Sequence, residues 1–127
     1  MLSQNGNLRI AVVDDEVDLL DMYDFELQDY GFASKGFSQS ETACKAIIDG
    51  DFDLVISDIR MPCLTGLQLL EKVTKEMPSA PPFVFVTGFS QYGREELMKA
   101  GAKEVFQKPI DVEVIAKWID SFFEKAS

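Results

Sequence analysis

Two short apolar runs in this sequence end in carboxylates, residues 8–13 in Asp14-Asp15 and residues 54–57 in Asp58. Thr87 closes a third run, and Lys108 stands after a fourth, just before Pro109. In one crevice, three such carboxylates raise one another's pKa and work against folding unless a cation is held among them. Lys108 offsets one charge, and a hard divalent ion offsets more. Mg2+ takes a few carboxylate oxygens together with waters and phosphate oxygens, whereas zinc wants Cys or His. A carboxylate, a hydroxyl and an ammonium beside Mg2+ are the parts of a phosphoryl-transfer site. Asp58 is then the nucleophile that forms an aspartyl phosphate, and Thr87 and Lys108 stabilise charge on the phosphoryl oxygens.

The five groups meet only if the elements bearing them are neighbours. Residues 8–13, 54–57 and 83–87 are near-continuous apolar runs, as required of strands covered on both faces. Residues 32–37, interrupted by Lys35 and Gly36, and residues 104–107, of mixed polarity, read as weaker strands at the sheet margins. Between them, Val17, Leu20, Tyr23, Leu27 and Tyr30 recur at helical spacing up to Gly31. A second helix reaches Ile48 with Ser38 or Ser40 as its cap, and a third carries Leu67, Leu70 and Val73. The fourth carries Leu97 and Met98, and the last Val112, Ile115, Ile119 and Phe122 with Trp118 beside them. Five alternations predict an α/β, (βα)5 doubly wound parallel sheet of flavodoxin-like order 2-1-3-4-5. Ligands of such sheets sit at the carboxyl ends of the strands. There strands 1, 3, 4 and 5 bring Asp14, Asp15, Asp58, Thr87 and Lys108 to one crevice.

Composition narrows the classes further. A chain of 127 residues that is 46% hydrophobic supports one compact domain, expected over residues 8–124 with a flexible N-terminus at 1–7 and a tail at 125–127. The net charge of −10 opposes direct nucleic-acid binding. With no His there is no Ser-His or Cys-His nucleophile, no His-ligated zinc and no phosphohistidine on this chain. Cys44 and Cys63 read as reduced, unrelated thiols. No basic leader opens the chain and no apolar stretch nears the ~20 residues of a membrane span. A cytoplasmic chain with no membrane contact is therefore expected.

The segments V-V-D-D-E (12–16), V-I-S-D-I-R-M-P-C-L-T-G-L (55–67), F-V-T-G (85–88) and A-G-A-K-E-V-F-Q-K-P (100–109) closely resemble the receiver domain of two-component response regulators. The resemblance covers residues 8–124. It implies that Asp58 is the phosphoacceptor, served by a bacterial histidine kinase or histidine phosphotransfer protein. It further implies that Asp15, Asp58 and the Arg60 backbone carbonyl bind Mg2+, with Mn2+ as a substitute, and that Asp14 acts through water. Thr87 is then the switch hydroxyl, Lys108 the phosphoryl-binding lysine, and the Lys108–Pro109 bond cis. Pro62 and Gly66 match the turn after the acceptor. Such a domain is no enzyme acting on others; it catalyses only its own phosphorylation and slow dephosphorylation. It signals to an effector, here unknown, through the face of the fourth helix, fifth strand and fifth helix, where Arg94, Lys99, Lys103 and Glu104 fall. Arg60 and Phe89, two positions after acceptor and switch, are expected to tune the phosphoryl lifetime, with the Phe89 ring shielding the site.

The sequence departs from the family at Val105, where receivers place Tyr or Phe. Phe106 follows one residue later and, by strand alternation, points to the other face. A muted switch is expected. A haloacid-dehalogenase-type phosphohydrolase needs a second Asp where Arg60 stands, and a flavodoxin-like carrier needs a phosphate cradle where Asp14-Asp15-Glu16 stand. A receiver-like module that is never phosphorylated would be expected to lack Asp58 or Lys108.

Overall fold

The computed structural model describes residues 7–88 and 92–126. The elements run β1 (Arg9–Val13), α1 (Val17–Asp29), β2 (Ala33–Phe37), α2 (Ser40–Asp49), β3 (Leu54–Ser57), α3 (Gly66–Glu76), β4 (Phe83–Thr87), α4 (Arg94–Ala100), β5 (Glu104–Gln107) and α5 (Val112–Ala126). All strand pairs are parallel and the sheet order is β2-β1-β3-β4-β5, the order expected.

Period-two alternation along the central strands divides the core. Ala11, Val13, Val55, Phe83 and Phe85 face α2, α3 and α4, where Ala43, Ile47, Leu69, Val73 and Leu97 meet them. Ile10, Val12, Leu54, Ile56, Val84 and Val86 face α1 and α5, against Leu20, Tyr23, Leu27, Ile115 and Ile119. Both faces being dry explains why β1, β3 and β4 read as unbroken apolar runs. The margins behave differently: β2 exposes Ala33, Lys35 and Gly36, and every residue of β5 keeps some exposure.

Helix boundaries show where local signals were followed and where they were not. Gly31 ends α1 with φ of 97°, a conformation an L side chain resists. Val17, the first residue of α1, is 58% exposed rather than part of the buried stripe, because it precedes the turn at which the helix reaches the sheet. Thr65 caps α3 through a full capping box with Gln68, its Oγ1 accepting from the Gln68 N–H at 3.1 Å while Gln68 Oε1 accepts from the Thr65 N–H at 2.9 Å. At α2 neither expected serine caps; the N-cap is Gln39, with no side-chain cap bond.

Candidate functional site

The carboxyl ends of β1 and β3 set two buried carboxylates side by side. Asp14 is 2% and Asp58 9% exposed, while Asp15 is open to solvent. The backbone fixes both ends, since the Asp58 N–H donates to the Val13 carbonyl at 2.9 Å and the Asp14 N–H to the Phe37 carbonyl at 3.1 Å. One carboxylate oxygen from each of Asp14, Asp15 and Asp58 lies within 4.8 Å of the others. Two unit charges about 5 Å apart repel by about 3 kcal/mol at an effective dielectric near 20. The cluster therefore needs cations.

Lys108 supplies one. Its Nζ lies 2.9 Å from Asp58 Oδ2, 3.4 Å from Asp14 Oδ2 and 3.6 Å from Glu16 Oε2. The Lys108 N–H donates to the Thr87 carbonyl at 3.0 Å, tying the lysine to the end of β4, and the Lys108–Pro109 peptide is cis. Burial acts to lower the Lys108 pKa, but the hydrogen bond to Asp58 and the charges of Asp58, Asp14 and Glu16 outweigh it and hold it above the ordinary value. Lys108 is thus a fixed ammonium.

The remaining polar atoms of the cluster are held by the backbone. Asp58 Oδ1 accepts from the Ile59 N–H at 2.7 Å, and Asp14 Oδ1 from the Glu16 N–H at 2.9 Å. Burial pushes the Asp14 carboxyl above its ordinary range and Asp58 adds to the rise; the Glu16 N–H and Lys108 oppose it without cancelling it. Tyr23 of α1, 1% exposed, has its hydroxyl pKa raised by burial first and by the charges of Asp14 and Asp58 after it.

The Asp14 shift has a consequence for stability. A carboxyl whose pKa is raised in the folded state favours the protonated fold, so stability falls as pH rises through the folded pKa and recovers as pH drops below it. In chelator, Asp14→Asn is therefore expected to melt above wild type at neutral pH. The gap should narrow as the pH is lowered, and a gap that is absent or independent of pH would show that Asp14 carries no such strain.

An all-oxygen donor set on a cluster with one ammonium for three carboxylates suits a hard divalent cation and offers zinc neither thiolate nor imidazole. Thr87, 8% exposed, stands at the end of β4, and Arg60 is exposed in the segment after β3. Phe89 lies outside the described residues. Val105 packs on the α2–α3–α4 side of the sheet and Phe106 on the other, its ring edge-on to Trp118 at 6.2 Å between centroids. Arg94 of α4 pairs with Glu104 of β5 at 2.6 Å, so these two are a joint between elements rather than separate solvated charges. Two members of the site were not expected from the sequence, Glu16 as a partner of Lys108 and Tyr23 as a neighbour of the acids. Glu16 was legible, adjoining Asp14-Asp15; Tyr23 was hidden as one more member of a buried helical stripe.

Among the described residues no helix is long and apolar enough to cross a membrane. Residues 10–120 match the family model of the response regulator receiver domain. The chain is 31% identical over 118 residues to the transcriptional regulatory protein FixJ of Bradyrhizobium diazoefficiens, covering 92% of this chain and 57% of FixJ. It is 34% identical over 77 residues to the aerobic respiration control sensor protein ArcB of Escherichia coli, covering 59% of this chain and 10% of ArcB. It thus spans little more than half of one relative and a tenth of the other. Among solved structures, the response regulator TrrA of Thermotoga maritima, in complex with Mg2+ and BeF, superposes with a TM-score of 0.79 at 30% identity, over 90% of this chain and 97% of TrrA. With its sheet order, its acidic cluster and this match along most of its length, the chain belongs to the receiver domain family of response regulators.

Proposed function

We propose that residues 8–124 are a phosphoacceptor unit that takes a phosphoryl group onto Asp58 from the phosphohistidine of a histidine kinase or phosphotransfer protein, or from a small acyl phosphate. The observation that carries this is the Asp58 carboxylate at the end of the central strand, 2.9 Å from Lys108 and within 4.8 Å of Asp14 and Asp15. An Asp58 oxygen forms the new bond to phosphorus while the donor's P–N or P–O bond breaks, and the electron pair leaves with the imidazole or carboxylate. Attack by a carboxylate oxygen needs no proton removed, so the step calls for no general base on the chain. The Ile59 N–H steadies one oxygen, and Lys108 neutralises charge that gathers on the phosphoryl group. Asp15, Asp58 and the Arg60 carbonyl would hold Mg2+ or Mn2+, with Asp14 acting through water, and the ion supplies further positive charge to the phosphoryl oxygens. The experiment is intact-mass analysis after incubation with a small acyl phosphate. One added phosphoryl group with Mg2+, and none in chelator, supports the assignment; no addition under either condition overturns it.

Signalling would pass from Thr87 to the α4–β5–α5 face, where the Arg94–Glu104 pair spans two of the three elements. Val105 brings no ring to that relay, which supports a muted switch. Arg60 and Phe89 would tune the lifetime of the phosphoryl group. The effector is unknown in this reading, and the net charge of −10 opposes direct contact of these residues with nucleic acid.

Relief of the acidic cluster gives a second expected result. At ten times Kd, Mg2+ stabilises by about 1.4 kcal/mol, which for a chain of this size raises Tm by roughly 5 °C. Asp15→Ala should lose most of that rise. A Tm response to Mg2+ unchanged in Asp15→Ala would place the ion elsewhere.

A further inference from the structure

Between β3 and α3 the chain bends at Cys63, whose φ of 72° is the only positive value at a non-glycine among the described residues. In that region Cβ crowds the carbonyl that follows, so a Cys adopts it only where its surroundings over-determine the backbone. The group that does so comes from α2. Ser40 Oγ donates to the Pro62 carbonyl at 3.0 Å and accepts from the Leu64 N–H at 3.0 Å, gripping the chain on both sides of Cys63.

Ser40 is 3% exposed, so water competes poorly for these bonds, and deleting the hydroxyl leaves a donor and an acceptor unpaired. It is the first residue of α2 and yet does not cap its own helix. Two further ties of the loop run to the acceptor: the Gly66 N–H donates to the Ile59 carbonyl at 2.8 Å, and the Ile59 N–H to Asp58 Oδ1 at 2.7 Å. Arg60 lies between these ties and the bend.

We propose, resting on the assignment of Asp58 as acceptor and the Arg60 carbonyl as a metal ligand, that Ser40 is a positioning residue of the phosphoacceptor site. Its hydroxyl fixes the bend at Cys63 and thereby sets the Arg60 carbonyl and the Asp58 carboxylate for Mg2+. Residues that orient ligands from behind typically cost 10-fold or more in metal affinity when removed.

The test is calorimetric titration of the chain with Mg2+ alone, without phosphodonor and under reducing conditions. Ser40→Ala is expected to bind Mg2+ roughly tenfold more weakly. Ser40→Cys, which keeps the volume but bonds poorly, should do the same and serves where the alanine variant does not fold. Adding Cys63→Gly to either should recover most of the affinity, because glycine takes the bend's φ without help. A hydroxyl that merely filled space in α2 would not be rescued at a distant loop position. Wild-type affinity in the Ser40 variants, even with a lowered Tm, overturns the proposal, as does failure of Cys63→Gly to restore binding. Wild type that binds no Mg2+ brings down the proposed function with it, whereas tight wild-type binding with unaffected variants removes the Ser40 role alone.

Discussion

Asp58→Asn is expected to reduce phosphoryl incorporation to background, both from small acyl phosphates and from a phosphohistidine partner. The substitution keeps the side chain's size and leaves an amide oxygen able to accept from the Ile59 N–H, as Asp58 Oδ1 does at 2.7 Å. What it removes is the charge that makes the group a nucleophile. It also removes the closest anion to Lys108, leaving that ammonium with Asp14 at 3.4 Å and Glu16 at 3.6 Å. Geometry is thus retained while chemistry is deleted, and a folded Asp58→Asn that gains no mass identifies the acceptor. The check is intact mass with Mg2+ saturating, beside hydroxylamine treatment of the labelled wild type. An acyl phosphate is cleaved by hydroxylamine, whereas a phosphate ester on Ser or Thr resists it. Label that persists in Asp58→Asn and survives hydroxylamine would move the acceptor to a hydroxyl.

How much of this was legible in sequence depends on the range of the interaction. The strands β1, β3 and β4 declare themselves because parallel pairing buries both faces, leaving no place for polar residues except at the ends. That same exclusion is why Asp14, Asp58 and Thr87 stand out at the ends of dry runs, whereas Lys108 follows the mixed, partly exposed β5 and is marked by its place at the end of that strand, just before Pro109. The alternation that sends Val105 and Phe106 to opposite faces is equally local, and the structure keeps it. Ser40 is the contrary case. A serine at a helix start has the same sequence signature whether it caps the helix or reaches across the fold, and here its partners lie 22 and 24 residues away. Val17 failed for a related reason: helical period assigns a face but does not say where along the helix the sheet begins.

The second large effect is expected from Gly66→Ala, where the same loop meets the core. Gly66 opens α3, and alanine there should favour the helix, with a gain of up to about 1 kcal/mol in a helix interior and less at its first turn. Packing opposes it. A Cβ at Gly66 would collide with the Asp58 carbonyl oxygen and lie 2.9 Å from Phe85 Cε1 and 3.0 Å from Ile59 Cα. Two of these three atoms are backbone, and Phe85 is itself fully buried on β4, so no flexible side chain is free to yield. The carbonyl that would have to move already accepts from Ser57 Oγ at 2.7 Å, and the Gly66 N–H is tied to the Ile59 carbonyl at 2.8 Å. Overpacking of a closed site costs 1–3 kcal/mol and occasionally more. With backbone as the obstacle the upper end applies, and after the helix gain a net loss of about 2–3 kcal/mol lowers Tm by roughly 10 °C. Because the displaced atoms are those that hold Asp58, Gly66→Ala should also phosphorylate more slowly than wild type at temperatures where both are folded. Thermal melting and the labelling rate read the two effects separately. A Tm at or above that of wild type would show that the approach of α3 to the Asp58 backbone is looser than these distances allow, and helix propensity would then be the stronger force at this position.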